Sequence, residues 1–209
     1  MNRTPRPHDL LGLAPGARFV DEAPDWAGAS LARAPFVVVR RAPCLGDAIA
    51  VGVRGATRGE RFGTWIEPRW IEAIFTPEDL RMRAPDSARA ALPAFALLRA
   101  LPSIIDRYGL AWGPAGSAGF ELASATPTIT RDSDLDIVVR APSPLPRADA
   151  SSLFDALSHA AQTVGTRIDV QIETPDAAFS LAEFARAGLR VMLRHAHGPR
   201  LVDDPWTAA

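Results

Sequence analysis

The feature that most constrains this chain is an alternation running from about residue 116 to about residue 195. Turn and helix are expected over 116–123, strand over 134–140, helix over 148–164, strand over 167–173, helix over 179–187 and strand over 189–195. Apolar strands that alternate with amphipathic helices bury both by packing the helices on a shared sheet. The expected class is therefore α/β (α+β), with a sheet and packed helices in the C-terminal part.

Chemistry is concentrated inside that alternation. Asp134-Leu135-Asp136 heads the apolar strand Ile137-Val138-Val139. Side chains two apart on a strand share a face, with Cα atoms about 6.5 Å apart. Asp134 and Asp136 thus point one way while Leu135 and Ile137 enter the core. Two carboxylates so placed repel each other unless a cation lies between them. In the run RIDVQIE, polar and apolar residues alternate, which places Asp169, Gln171 and Glu173 on one strand face. If the two strands are neighbours, Asp169 joins the first pair. Three such carboxylates can hold two divalent ions about 3.5–4 Å apart, the arrangement that serves in-line phosphoryl displacement. Mg2+ or Mn2+ is the expected cofactor, and Asp169 is the expected acceptor of the attacking hydroxyl's proton. Upstream, Gly116 and Ser117 form a small-residue turn at a helix start. Glycine there admits close backbone approach to phosphate, and serine offers a hydroxyl and an amide. The expected catalytic and metal-binding residues are Asp134, Asp136 and Asp169, and the expected phosphate-binding residues are Gly116 and Ser117.

The rest of the composition excludes more than it assigns. With 209 residues, 47% hydrophobic, the chain can bury a core as one large domain or two small ones. A net charge of −1 gives no bulk basic field, so no nucleic-acid partner is expected. All 23 basic residues are arginine, which suits phosphate contacts but in an Ala- and Pro-rich chain also fits a coding bias. One cysteine, Cys44, leaves no internal disulfide, and no apolar run reaches the length of a membrane span. The opening MNRTPRPHDLLGL lacks the sustained apolar segment of a secretory signal, so the expected location is cytoplasmic.

Residues 1–82 read as a small β-rich domain and residues 83–209 as the catalytic domain. In the first, a short helix is expected over 24–33, and the β-branched runs FVVVRR and AIAVGVR should pair as a hairpin. Residues 61–66 add a third strand, and Thr76-Pro77-Glu78-Asp79 signals a helix start. This part shows no catalytic constellation and is expected to cover substrate or dock a partner. The run 88–107, capped by Asp86 or Ser87 and interrupted by Pro93 and Pro102, is expected as two or three short helices ending at Gly109.

Each site residue also has a plainer reading. Asp134 and Asp136 alone resemble a turn residue and an exposed strand end, Gly116-Ser117 alone an ordinary helix start, and Asp169 alone an exposed strand carboxylate. It is their combination that favours a metal site. Glu121 can make a reciprocal cap to Ser117. Arg131, Arg140 and Arg167 read as triphosphate contacts or as solvated arginines. His195 and His197 have two-ligand spacing without a third partner. His8 and His159 carry no signal. Trp112, directly before the turn, is the tryptophan best placed to stack on an adenine.

The order Gly-Ser, then Asp-x-Asp, then apolar-Asp-apolar resembles the nucleotidyltransferase superfamily related to DNA polymerase β. The sixteen residues between Ser117 and Asp134 (118–133) exceed the usual spacing, so that loop must bulge. The runs GSAGFELASATPTITRDSDLDIVVR, RIDVQIETP and GPRLVDDPW, with RPHDLLGL and the VVVRR and VGVRG strands, narrow the resemblance further. They resemble the phosphoribosyl-dephospho-CoA transferases of bacterial malonate decarboxylase, also called malonate decarboxylase holo-acyl-carrier-protein synthases. That resemblance covers essentially the whole chain. It implies transfer of a prosthetic group from 2′-(5-triphosphoribosyl)-3′-dephospho-CoA to a serine of the apo acyl carrier protein, with release of pyrophosphate. It carries Asp134 and Asp136 over as metal ligands and Gly116 and Ser117 as the phosphate turn, and the wider superfamily carries Asp169. Two alternatives stay open. One is another nucleotidyltransferase, such as the citrate lyase counterpart or an adenylyltransferase. The other is a catalytically silent nucleotide- or CoA-binding module.

Overall fold

The structure, a computed structural model, describes residues 3–57, 59–186 and 190–207. The chain begins with β1 (Leu10–Leu13), α1 (Asp25–Arg33), β2 (Phe36–Val39), β3 (Ile49–Arg54), β4 (Arg61–Ile66) and β5 (Ile71–Phe75). Its five strands form one antiparallel sheet in the order β4-β3-β2-β1-β5. The expected hairpin is there, with Val38 opposite Gly52, and so is the third strand. β1 was not anticipated. All four residues of LLGL are buried, so no alternation of apolar and polar residues marks it as a strand.

There follow α2 (Pro77–Leu80), α3 (Pro93–Ala100), α4 (Pro102–Ile105), β6 (Ala111–Pro114), α5 (Gly116–Ser124), β7 (Leu135–Arg140) and α6 (Arg147–Val164). The chain continues with β8 (Ile168–Glu173), β9 (Ala177–Ser180), α7 (Leu181–Arg186), β10 (Val191–His195) and β11 (Gly198–Val202). The second sheet runs β11-β10-β9-β8-β7-β6. Only β7 and β8, joined through α6, run parallel; the other pairs are antiparallel, which makes the fold α+β. The expected helix over 179–187 begins instead as β9, and the expected strand over 189–195 begins as β10 at Val191. Ala187 and Leu189, which bound those two expectations, lie outside the described residues, as do the terminal residues 1, 2, 208 and 209. Residues 88–92 form turns rather than helix, with the Asp86 carboxylate accepting from the Ala88 N–H at 2.9 Å.

Local chemistry sets these boundaries. Thr76 and Asp79 close a reciprocal capping box on α2, with Pro77 at the first helical position. Gly109 and Gly165 end helical segments at φ 65° and 73°. On α6, Ala150, Leu153, Leu157 and Ala161 recur at helical spacing and are buried against the main core. That core joins Leu135, Ile137 and Val139 of β7 and Val170 and Ile172 of β8 to Phe95 and Leu97 of α3. Each such side chain contributes about 1.5–3 kcal/mol by leaving water. A second cluster, including Leu11, Val37, Val51, Val53 and Ile66, fills the first sheet on the side of α1. The two units meet where Phe36 packs against Phe75 and Phe120. Among the described residues, no helix is long and apolar enough to cross a membrane.

Candidate active site

β7 and β8 pair in parallel register so that Asp136 stands directly opposite Asp169. Leu135 and Ile137 are buried at 0% and 1% exposure, so the alternation expected from the sequence holds. Asp134, just before β7, is half-buried, as is Asp136, while Asp169 is exposed. The start of β7 is fixed by two bonds to the residues just before β8. The Leu135 N–H donates to the Arg167 carbonyl at 2.9 Å, and the Thr166 hydroxyl donates to the Ser133 carbonyl at 2.9 Å. Burial pushes the Asp136 carboxyl above its usual range, and the negative charges of Asp134 and Asp169 push it further the same way. Arg54 and His8 oppose that rise from the other side.

The turn before α5 closes on this carboxylate. The Ala115 N–H donates to the Asp136 carbonyl at 2.9 Å. Gly116 follows at φ +52°, and a Cβ built there would lie 1.9 Å from Asp136 Oδ2. A side chain at 116 is thus excluded twice, by backbone conformation and by the carboxylate. Gly116 itself is exposed. Ser117 is half-buried, and its carbonyl accepts from the Thr128 hydroxyl at 2.8 Å.

The long loop between Ser117 and Asp134 is organised by Glu121. Buried at 4% exposure, it accepts from the N–H groups of Thr128 and Ile129 at 2.7 and 2.8 Å and pairs with Arg89. The role is structural, but no side chain caps α5, so the reciprocal cap expected of Glu121 is replaced by a loop anchor. Trp112 is not an adenine platform. It is 1% exposed, donates to Asp106 at 2.7 Å and lies under Arg81. Arg140 is buried in ion pairs, Arg131 is exposed on its loop, and the exposed Arg167 lies 3.8 Å from Asp134. His195 and His197 stack on each other at the β10–β11 turn.

The sequence shows no catalytic constellation in the N-terminal unit, yet the fold brings four of its charged or titratable residues beside Gly116. His8, at φ +74°, presents Nε2 to Gln171 at 2.6 Å and to Glu173 at 3.2 Å. Non-glycine residues adopt that conformation only when the surroundings hold them there. With Arg40, Arg54 and Arg61, His8 lines a cavity of about 440 Å³ that reaches Gly116. No local motif marks these four residues, because pairing of distant segments is what brings them together beside Gly116.

Asp134, Asp136 and Asp169 would offer hard carboxylate oxygens, the chemistry that suits Mg2+ or Mn2+. Among the described residues, no three acidic, histidine or cysteine side chains are gathered into a ready-made cage. Mg2+ is usually held by one or two carboxylates together with substrate phosphates, so an open carboxylate set beside the Gly116 turn would fit that ion.

Comparison with known proteins gives a consistent result. The family model "Phosphoribosyl-dephospho-CoA transferase MdcG C-terminal domain" matches residues 80–205, and the corresponding N-terminal domain model matches residues 6–77. A curated phosphoribosyl-dephospho-CoA transferase of Pseudomonas putida is 43% identical over 202 residues, covering 97% of this chain and 95% of that protein. One from Pseudomonas aeruginosa is 42% identical, covering 98% and 95% of the two chains, and one from Azotobacter vinelandii is 40% identical, covering 97% and 94%. No solved structure matches.

Proposed function

Because the chain belongs to the phosphoribosyl-dephospho-CoA transferase family, we propose that it loads the acyl carrier protein of malonate decarboxylase with its prosthetic group. The donor is 2′-(5-triphosphoribosyl)-3′-dephospho-CoA. The carrier's serine oxygen attacks the phosphorus next to the ribose. The phosphoanhydride bond to the departing pyrophosphate breaks, a phosphodiester forms, and the hydroxyl proton leaves to a base.

The observation that carries this reading is the Asp136–Asp169 register pair set against the Gly116 turn. In this reading Asp134, Asp136 and Asp169 hold Mg2+ or Mn2+. When bound, such ions make the attacking hydroxyl more acidic and neutralise charge on the leaving pyrophosphate. Asp169, exposed on its strand, takes the proton. The backbone at Gly116 and the Ser117 hydroxyl orient the phosphate chain. None of these groups needs to act as a protein nucleophile, because the acceptor serine arrives on the partner. The chain divides near residues 82 and 83, with the N-terminal unit closing over the donor and the C-terminal unit holding the ions.

The test combines purified protein, Mg2+, the triphosphoribosyl donor and the apo carrier protein. Pyrophosphate should appear only when the carrier is present, with a matching mass gain on its serine. Absence of both, with a correctly folded enzyme, rejects the assignment.

A further inference from the structure

The cavity between the first sheet and the start of α5 has an uneven chemistry. Its walls carry Arg40, Arg54 and Arg61 beside Phe62 and Phe120, Gly116 lies at one side, and among the described residues no aspartate or glutamate lines it. Arg40 stands apart from its neighbours. Arg41 is committed to the buried Glu173, whereas the exposed Arg40 guanidinium has no carboxylate partner among the described residues.

What holds Arg40 is a pair of glycines. Gly52 and Gly63 face each other across β3 and β4. A Cβ at Gly63 would lie 1.9 Å from Arg40 Nη1, and one at Gly52 would lie 3.1 Å from Arg40 Cδ. Side chains at these two facing positions would meet the arginine where it now lies, so the glycines leave it room to lie across β3 and β4. Neither glycine has a positive φ, so no turn or backbone requirement explains them. The seat aims a planar fork of N–H donors along the cavity wall, and that fork matches phosphate oxygens.

We propose that Arg40, seated across Gly52 and Gly63, binds the phosphoanhydride chain of the donor, with the arginine-lined cavity as its seat beside Gly116. The inference rests on the transferase reading and deepens it, since it gives the N-terminal sheet a direct share in donor recognition. A phosphoanhydride occurs twice in such a donor, in the triphosphate tail and in the diphosphate of its dephospho-CoA part. Inorganic tripolyphosphate and 3′-dephospho-CoA stand for the two as probes.

The experiment measures calorimetric binding of each probe, and the KM for the donor, in wild type, Arg40→Ala, Arg40→Lys and Gly63→Ala. Arg40→Ala should weaken one of the two probes and raise the KM by about 10- to 100-fold, as expected for a lost charge-assisted contact. The weakened probe identifies which end of the donor Arg40 holds. Arg40→Lys should recover only part of the loss. Gly63→Ala, which displaces the guanidinium without deleting it, should move both readouts the same way by less. Unchanged KM and unchanged binding of both probes in Arg40→Ala, with carrier loading intact in wild type, would overturn the seat and leave the transferase reading standing. Probe binding lost in Arg40→Ala while wild type never loads the carrier would support the seat and sink that reading.

Discussion

The two ends of the β7–β8 pair are built from the same parts and do opposite things. At one end Asp136 faces Asp169, like charge against like charge, and the half-buried carboxyl of Asp136 is pushed upward in pKa. Four residues along, Arg140 faces Glu173 in the same register, 3.6 Å apart and buried. There burial alone would raise the Glu173 pKa, yet hydrogen bonding to His8, the charges of His8 and Arg41, and Gln171 hold it below the usual range. Arg140 reaches on to Asp9 and Glu78, so this end ties the N-terminal segment to the second sheet. A balanced buried cluster serves the fold. An unbalanced one carries a cost that a bound cation would offset, as the proposed metal site requires.

The comparison can be broken most sharply at Asp136. Asp136→Ala should reduce carrier loading by about a thousand-fold or more while the protein stays folded, as judged by product mass and circular dichroism. Loading near the wild-type rate would place the ions elsewhere. Glu173→Ala attacks the opposite end and should act on stability instead. It leaves Arg41 without its buried carboxylate and takes one of three from Arg140, which keeps Asp9 and Glu78, so urea unfolding should show a loss of about 3–5 kcal/mol.

Smaller effects sharpen the contrast. Asp136→Asn removes the repulsion at the functional end, and in chelator it should raise the melting temperature by about 2–4 °C for a chain of this size. A fall would mean that the carboxylate stabilises the metal-free fold. Asp9, fully buried, has its pKa raised to about 6 from 3.8, by burial against the opposing pulls of the Arg6 N–H and of the Arg140 and Arg6 charges. The folded state therefore holds this proton more tightly than the unfolded chain does, and Asp9 lowers stability as pH rises from about 4 to 6. The melting temperature of Asp9→Asn relative to wild type should rise between pH 4.5 and pH 7, and a constant difference would contradict the shift.

How much of this was legible in the sequence depended on range. Asp134 and Asp136 could be placed on one face because strand alternation is local, and Leu135 and Ile137 duly enter the core. Their meeting with Asp169 required only that two predicted strands be neighbours. β1, β6 and β9 escaped notice because they are four residues each, lack alternation, and in β9 run straight into a helix. His8 and Arg40 could not have been found, since each is defined by partners far along the chain: Gln171 and Glu173 for one, Gly52 and Gly63 for the other. A histidine in an unmarked segment and two strand glycines acquire meaning only once the sheets are assembled.

Uptake of Mn2+ tests the contrast between the two strand ends most directly. Free Mn2+ can be followed by electron paramagnetic resonance, with and without the dephospho-CoA donor, in wild type, Asp136→Ala and Glu173→Gln. The predicted result is that wild type and folded Glu173→Gln deplete the free-ion signal when the donor is present and Asp136→Ala does not. Equal depletion by Asp136→Ala, or none by wild type with donor bound, would contradict the account.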